Sequence, residues 1–150
     1  MARMTSPQRP QPEHRTAYRA FQPISTRWSD NDLYGHVNNV VYYSWFDTAV
    51  NGLLIERSVL DLLHGGVMGY VVETGCNYFS PLAFPQIVVV GIRVASIGFS
   101  SVRYELAVFP ADASLPCAAR GHFVHVYVAR ATRRPTALPL ELQHVLETLK

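Results

Sequence analysis

One segment, residues 40–55, is apolar on nearly every side and constrains the fold more than any other part of the sequence. It reads VVYYSWFDTAVNGLLI, and its polar members recur at the spacing i, i+3, i+4, i+7, at Ser44, Asp47, Thr48 and Asn51. On a helix, this spacing places them in one narrow polar stripe. β-branched and aromatic residues also suit a strand, but the stripe and the length favour a helix. We therefore predict a central helix, Val40 to Ile55, that other structure wraps on most sides.

The rest of the chain is typical of long strands. After an extended segment that begins near Ala17, we predict strands at residues 67–82, 86–98, 100–109 and 117–130, joined by short connections as an antiparallel meander. A short helical turn is predicted at residues 57–66, and a closing amphipathic helix at residues 138–149 has its apolar side at Leu138, Leu142, Val145, Leu146 and Leu149. The pattern predicts an α+β domain in which a bent antiparallel sheet wraps the central helix.

Composition narrows the class of protein. Hydrophobic residues make up 49% of the 150 residues and charged residues 16%, which is typical of one globular domain, here residues 17–150. Residues 1–16 are rich in Pro, Gln, Arg and Ser, and we predict a flexible tail there. The net charge of +2 argues against a nucleic-acid binder. No apolar run reaches the ~20 residues of a membrane span, and the N-terminus lacks the apolar core of a secretory signal. We expect a cytoplasmic protein with no membrane partner.

The polar stretch SDNDLYGHVNN, residues 29–39, comes directly before the central helix. Asn38 or Asn39 is a suitable N-cap. The start of a helix carries free backbone N–H groups and partial positive charge, so it can polarise a carbonyl and stabilise an oxyanion. Asp32, seven residues before Asn39, could attack that carbonyl or activate a water molecule. Gly35 would let the loop turn tightly.

The same residue types also have a purely structural interpretation. Asp, Asn and Gly are the usual residues of turns and caps. Asp30 could bond local amides, His36 could orient the loop, and Asp47 could face the polar stripe or a partner subunit. The pattern is catalytic only if the surrounding fold places it correctly.

RWSDNDLYGHVNNVVYYSWFDTA, from Arg27 to Ala49, resembles the opening motif of hotdog-fold thioesterases of the 4-hydroxybenzoyl-CoA thioesterase type. The family pattern is roughly D-x-D-x-x-G-H-V-N-N-x-x-Y followed by the central helix. The residues that fit it are Asp32, Gly35, His36, Val37, Asn38, Asn39 and Tyr43. YFSPLAFPQIVVVGIRVASIGFSSVRYEL and ARGHFVHVYVARATRRPTALP resemble later segments of the family, so the resemblance covers about residues 19–140.

The resemblance implies an acyl-CoA thioesterase, which hydrolyses an acyl-CoA thioester to a carboxylic acid and free CoA. Asp32 then matches the catalytic carboxylate, acting as nucleophile or general base, and the backbone N–H of Asn39 polarises the thioester carbonyl. The family assembles as a homodimer or homotetramer with active sites at the subunit interface, and no cofactor or metal is implied. Motif residues Gly35, His36, Val37 and Asn38 are candidates for substrate binding. Thr74 shares a strand face with Cys76 that could border the acyl pocket.

The sequence departs from the family at the turn between the third and fourth long strands. Some members carry basic residues there that hold the CoA phosphates, whereas this chain has Ile97, Gly98 and Phe99. Arg133 and Arg134, which cluster in a loop, are the favoured CoA contacts. An acyl carrier protein therefore stays open as the acyl donor.

Two alternative functions stay open within the same fold. An enoyl-thioester hydratase would need an Asp and His pair, and His36 follows Asp32 at a spacing that differs from the arrangement in those enzymes. An acyl-thioester binding protein would bind its ligand without turnover. The two cysteines, Cys76 and Cys117, lie in separate predicted strands without the CxxC spacing. A disulfide or a metal pair stays open, but the lack of a secretion signal favours two free thiols.

Overall fold

A computed structural model describes residues 8–150 of the chain. Its order of elements is β1 (Ala20–Ser25), α1 (Val41–Glu56), β2 (Val67–Tyr78), β3 (Ile87–Ile97), β4 (Ser101–Phe109), β5 (Ala119–Ala129) and α2 (Leu140–Glu147). Two short 3-10 turns lie at Arg15–Ala17 and Trp28–Asp30. Within these residues, neither helix has the length and apolar character needed to cross a membrane.

Helix α1 is buried as its sequence predicts. Its inward side consists of Tyr42, Trp45, Phe46, Ala49, Val50, Leu53 and Leu54. Ser44, Asp47 and Thr48 of the polar stripe are exposed, and Asn51 is half-buried. Burying one large apolar side chain stabilises the fold by about 1.5–3 kcal/mol, so the six large side chains among these residues hold α1 firmly against the sheet. The predicted α+β architecture, with an antiparallel sheet around one central helix, is confirmed.

The sheet has five antiparallel strands in the order β1-β3-β4-β5-β2. The predicted meander is correct for β3, β4 and β5 but wrong for β2, which pairs with β5 at the edge of the sheet. The reason lies in residues 79–86, which do not form a tight hairpin. Phe79 and Ser80 donate backbone hydrogen bonds to Ala118, and Leu82 is buried under the loop before α1. The chain therefore crosses the end of the sheet before it enters β3.

The helical turn predicted at residues 57–66 is confined to residues 61–65, where Gly65 N donates to Asp61 O at 3.2 Å. Helix α1 ends at Glu56, and Ser58 just after it has a left-handed φ of 57°. The carboxylate of Asp61 then accepts hydrogen bonds from the backbone of Leu63 (3.1 Å) and His64 (2.9 Å). Asp61 thus caps this single turn, and the segment contains no helix longer than this turn.

Residues before the predicted domain boundary at residue 17 contact the sheet. Residues 1–7 lie outside the described range, but from Arg9 onward the chain contacts the outer face of the sheet. Glu13 forms ion pairs with Arg93 (3.0 Å) and Arg120 (2.6 Å), and its carbonyl accepts a hydrogen bond from Cys117 N. Composition alone missed this anchor because one carboxylate binds two arginines that come from distant strands.

A row of aromatic rings lines the inner face of β4 and β5. His125 lies in this row, and its ring centroid is 4.5 Å from that of Phe123, 5.7 Å from Tyr104 and 5.9 Å from Tyr127. Only 3% of its surface is exposed. Burial lowers the pKa of His125 to about 4, because the charged imidazolium is poorly solvated there.

This burial predicts a loss of stability in mild acid. Above pH 6.5, His125 is neutral in both the folded and the unfolded state. As the pH falls from 6.5 toward 4, the unfolded chain binds a proton that the folded chain does not, so the free energy of unfolding falls. We expect His125→Phe to remove about 2 kcal/mol of the loss between pH 7 and pH 4.5, measured by urea unfolding. Exposed His144→Gln is the control, and an equal acid loss in wild type and His125→Phe would contradict the assignment.

Candidate active site

Asp30 anchors the loop that leads into α1. It is 1% exposed, and its carboxylate accepts hydrogen bonds from the Arg27 backbone N (2.7 Å), Nε (3.0 Å) and Nη2 (2.8 Å). Its carbonyl also accepts a hydrogen bond from Asn38 N at 2.8 Å. With both oxygens engaged inside the protein, Asp30 has the structural role that the sequence left open for it.

Asp32 sits at the next turn and is only half-buried. Its Oδ1 accepts a hydrogen bond from Tyr34 N (2.8 Å), and backbone hydrogen bonds from Asp32 N to His36 O (2.9 Å) and from Gly35 N to Asp32 O (3.1 Å) close the turn. Gly35 has φ +81°, a conformation that favours glycine. Among residues 8–150, Oδ2 of Asp32 has no hydrogen-bond partner. The turn therefore fixes the carboxylate while leaving one oxygen free to react.

The loop is docked on the β2–β3 connection. Val37 is buried, and its backbone N donates to Leu82 O at 2.8 Å. On the other side of the turn, Asn31 Oδ1 accepts a hydrogen bond from Phe84 N at 3.0 Å. These two contacts hold both arms of the turn, so the position of Asp32 relative to α1 is set by the sheet.

The start of α1 has no side-chain cap and leaves a backbone donor free. The predicted N-cap at Asn38 or Asn39 is wrong, because the helix begins at Val41 and its N-cap residue is Val40, which makes no side-chain cap hydrogen bond. Asn38 instead closes the turn before the helix, where its Oδ1 accepts a hydrogen bond from Val40 N (3.1 Å) and its carbonyl accepts one from Val41 N (3.0 Å). The carbonyl of Asn39 accepts a hydrogen bond from Tyr78 OH at 2.9 Å. Within the described part of the chain, the N–H of Asn39 has no acceptor.

Asp32 and Asn39 line two neighbouring hollows in the single chain. The first is bounded by Trp28, Asn31, Asp32, Leu33 and Gly35. The second is bounded by His36, Val37, Asn39, Tyr42, Tyr78, Phe79, Ser80 and Pro81. The sequence predicted that Asp32 and Asn39 face one shared space. In the single chain the two residues lie on the same short loop but line different hollows.

The remaining predicted site residues lie along or beside β2. Thr74 and Cys76 share the inner face of β2, as predicted, opposite Phe123 and Gly121 of β5. Thr74 Oγ1 donates to His122 O at 3.0 Å. Both cysteines are free thiols, and burial raises the pKa of the Cys76 thiol to about 11, so it stays protonated at neutral pH. A thiolate nucleophile is therefore not available there.

Arg133 and Arg134 lie at the opposite end of β2 from Asn39. Arg133 Nη1 donates to Tyr70 OH at 3.0 Å, whereas Asn39 contacts Tyr78 at the other end of the strand. Both arginines are exposed. In one chain, therefore, the structure does not bring these arginines to Asp32.

Sequence reasoning missed the part that Tyr78 plays at the helix start. Burial and the nearby Cys76 thiol raise the pKa of the Tyr78 phenol, so it stays a hydrogen-bond donor to Asn39 O. The alternation of β2 contained the signal, because Tyr78 shares the parity of Thr74 and Cys76 and so points inward. Only the partner, Asn39, could not be read from the pattern.

The chain matches a family model described as the thioesterase-like superfamily over residues 26–146. It is similar to the crystal structure of the PA5185 protein from Pseudomonas aeruginosa strain PAO1, with 54% identity, a TM-score of 0.89 and coverage of 93% of this chain and 97% of that one. It also resembles a thioesterase from Thermus thermophilus complexed with coenzyme A and Zn, with 29% identity, a TM-score of 0.74 and coverage of 88% and 94%.

A third solved structure supports the fold alone. It is Slr0204, a 1,4-dihydroxy-2-naphthoyl-CoA thioesterase from Synechocystis, with 18% identity, a TM-score of 0.75 and coverage of 84% of this chain and 93% of that one. A comparison with curated proteins found no match.

The hydrogen bonds of the loop predict different effects for its two aspartates. Asp30→Asn replaces a buried acceptor with a group that carries donors, so we expect a loss of about 1–3 kcal/mol in the free energy of unfolding. Asp32→Asn keeps Oδ1 for Tyr34 N, so its stability should stay within about 0.5 kcal/mol of wild type. Urea unfolding of the matched pair measures both, and equal losses would contradict the structural role of Asp30.

Proposed function

We propose that this chain, which belongs to the thioesterase-like superfamily, hydrolyses acyl-CoA thioesters with Asp32 as the reacting carboxylate. The observation that carries the proposal is the loop from Asp32 to Asn39. It holds a carboxylate oxygen without a partner and a backbone N–H without an acceptor, among the described residues, beside the start of a buried helix. These are the two groups that thioester hydrolysis needs, one to deliver the nucleophile and one to stabilise the oxyanion.

The reaction follows from these groups. The Asn39 N–H and the start of α1 polarise the thioester carbonyl oxygen. Asp32 either removes a proton from a water molecule that attacks the carbonyl carbon, or attacks that carbon itself and forms an anhydride that water then cleaves. In both routes the C–S bond breaks, the sulfur leaves as the thiol of CoA after taking up a proton, and the acyl group leaves as a carboxylic acid.

Tyr78 helps to hold the oxyanion donor in place. Its hydroxyl binds the carbonyl of Asn39, and that carbonyl belongs to the peptide directly after the donor N–H. Gly35, His36, Val37 and Asn38 form the connection between carboxylate and donor, so we assign to them the shaping of the thioester site. His36 is exposed on the side that also carries Asn39.

We further propose that two copies pair through β2. Within residues 8–150, β2 pairs with β5 alone and leaves its other edge free. Tyr70, Val71 and Val72 are exposed on it, Val72 by 59%, and an exposed apolar edge favours pairing with another strand. The opposite edge, β1, is shorter and contains Pro23, which cannot donate to a further strand.

In such a homodimer, arginines of one copy would contact the CoA bound at the thioester site of the other. If the two β2 strands pair antiparallel with full overlap, Tyr70 of one copy lies beside the Tyr78 end of the other. Arg133, which binds Tyr70, and Arg134 next to it would then lie beside the partner's catalytic loop. Exposed arginines there suit the phosphates of CoA, and they would equally suit the phosphopantetheine arm of an acyl carrier protein.

Removing the Asp32 carboxylate should abolish hydrolysis. Asp32→Asn keeps the turn but can neither take a proton nor form an anhydride, so we expect kcat/KM to fall by at least about 100-fold, a typical effect for a general base. The measurement is thiol release from acyl-CoA thioesters of short, medium and long chain and with aryl groups. The matched control is Glu147→Gln, an exposed carboxylate of α2.

Two other outcomes of this assay would reject hydrolysis by Asp32. Unchanged turnover in Asp32→Asn would remove the carboxylate from the mechanism. Tight binding of acyl-CoA without thiol release would support the acyl-thioester binding protein, and an absorbance change with a crotonyl thioester but no thiol release would support the enoyl-thioester hydratase.

A charge in the free edge should separate the subunits. Val72→Lys places an ammonium group at the centre of the proposed β2 contact, so we expect the dimer to dissociate and turnover to fall with it. Sedimentation velocity measures the assembly state and distinguishes dimer from tetramer. Leu140→Lys, at an exposed position of α2, is the control, and an unchanged dimer in Val72→Lys would exclude pairing through this edge.

A further inference from the structure

His125 has an unsatisfied polar atom inside the protein. Its Nδ1 is buried and has no hydrogen-bond partner among the described residues. Leaving a buried polar atom unpaired costs about 1–3 kcal/mol, and such atoms are rare in folded proteins. The rings of Phe123, Tyr104 and Tyr127 surround the imidazole and fix its orientation. His125 is not part of the proposed catalytic loop, so its Nδ1 is left to form a hydrogen bond with another partner.

A cavity of about 230 Å³ lies against this imidazole. Its walls are largely apolar and come from α1, the 60–62 turn, the start of β2, and β5. Gly69 lies in the wall, and a Cβ there would be 3.5 Å from Nδ1 of His125 and 3.2 Å from the Tyr127 ring. A side chain at position 69 would therefore crowd His125 and Tyr127 on this side of the cavity.

Arg130 holds the turn at residues 62–65, part of which lines the cavity. Its Nε donates to Gly65 O (2.6 Å) and its Nη2 to Leu62 O (3.0 Å). The guanidinium is thus engaged with backbone carbonyls, and Asp61, also in the wall, has its Oδ1 occupied by two backbone amides. The wall therefore carries one negative charge at Asp61, one positive charge at Arg130 whose donors bind carbonyls, and a neutral imidazole, because burial lowers the pKa of His125 to about 4. An uncharged group fits this environment better than a carboxylate.

The cavity lies at the end of β2 that faces away from the catalytic loop of its own chain. Residues 67–70 line it, whereas Asn39 contacts Tyr78 at the other end of β2. Asn51, in its wall, is 10 residues after Val41, the first residue of α1, or roughly 15 Å along the helix. If two β2 strands pair antiparallel with full overlap, residues 67–70 of one copy lie beside residues 75–78 of the other. The cavity of each copy then adjoins the catalytic loop of its partner.

We infer that the His125 cavity receives the far end of the acyl group of a thioester bound at the partner's catalytic loop, and that His125 recognises a hydroxyl group carried there. The inference rests on the proposed thioesterase function and on β2 pairing. A hydroxyl fits because a neutral imidazole has one donor and one acceptor nitrogen, and a hydroxyl can serve either. The apolar walls suit the aliphatic body of the acyl group. His125 is therefore the residue that selects ω-hydroxyacyl over plain acyl substrates.

The kinetic test compares matched thioesters. Linear acyl-CoA substrates from butanoyl to dodecanoyl are assayed beside their ω-hydroxy counterparts. At the chain length that reaches the cavity, we expect kcat/KM to favour the hydroxylated substrate by about tenfold or more. His125→Phe should bring that ratio close to one at the same chain length, and the ratio is the readout because the variant also changes the cavity for plain acyl chains. His122→Phe, on the opposite face of the same strand, should keep the preference.

A second variant and a direct binding readout guard against a folding defect in His125→Phe. Gly69→Ala narrows the approach to Nδ1, so it should raise KM for the hydroxylated substrate more than for short plain ones. Independently, the imidazole resonances of His125 in the wild-type protein are followed by NMR during titration with ω-hydroxyalkanoic acids and with alkanoic acids of equal length. Only the hydroxylated acids should shift them.

The combined outcomes separate the two proposals. Turnover with no preference for hydroxylated substrates at any length, or a preference that survives in His125→Phe, overturns the role of His125 and leaves the thioesterase proposal intact. Absent turnover with His125 resonances that respond to hydroxylated acids rejects the thioesterase proposal and supports the hydroxyl site. Absent turnover together with unchanged resonances overturns both.

Discussion

The structure depends on the burial of α1. Seven of its side chains are removed from water, and the sheet must curve to cover them. Bulges at Val71/Glu73 of β2 and at Val94/Ser96 of β3 interrupt the regular register and increase the local bend. Because α1 is held on most sides, its first residues have a defined position relative to the strand ends. The loop that carries Asp32 is attached there, and the contacts of Val37 and Asn31 with the β2–β3 connection support it further.

The two aspartates of the loop divide its tasks. Asp30 is buried, and both of its carboxylate oxygens accept hydrogen bonds from Arg27, so neither oxygen is available to another group. Asp32, two residues later, uses one oxygen for the turn and keeps the other without a partner among the described residues. Their chemical identity is the same, and the difference comes from burial and from the geometry of the turn. The same contrast applies to histidine, because exposed His36 lies beside the proposed thioester site while buried His125 is desolvated.

The free edge of β2 connects the fold to the proposed site. One end of this strand adjoins the start of α1, and the other adjoins Arg133 and the cavity at His125. Within one chain these features are separated by the length of the strand. A two-fold antiparallel pairing of β2 would bring the Tyr70 end of one copy beside the Tyr78 end of the other. One apolar edge would then form the dimer contact and place the CoA contacts and the acyl cavity at the same site.

Much of this protein could be predicted from local sequence patterns. The polar stripe of α1, the alternation of the long strands and the turn around Gly35 follow from backbone preferences and periodicity, which act over a few residues. The place of β2 at the sheet edge and the anchoring of Glu13 by Arg93 and Arg120 could not be predicted, because they depend on contacts between distant segments. The sequence by itself determined which loop carries the candidate carboxylates and which helix had to be buried. Only the tertiary structure decided that Asp30 is bonded while Asp32 keeps a free oxygen, and that His125 faces a cavity, since burial and hydrogen-bond partners exist only once the sheet has closed around the helix.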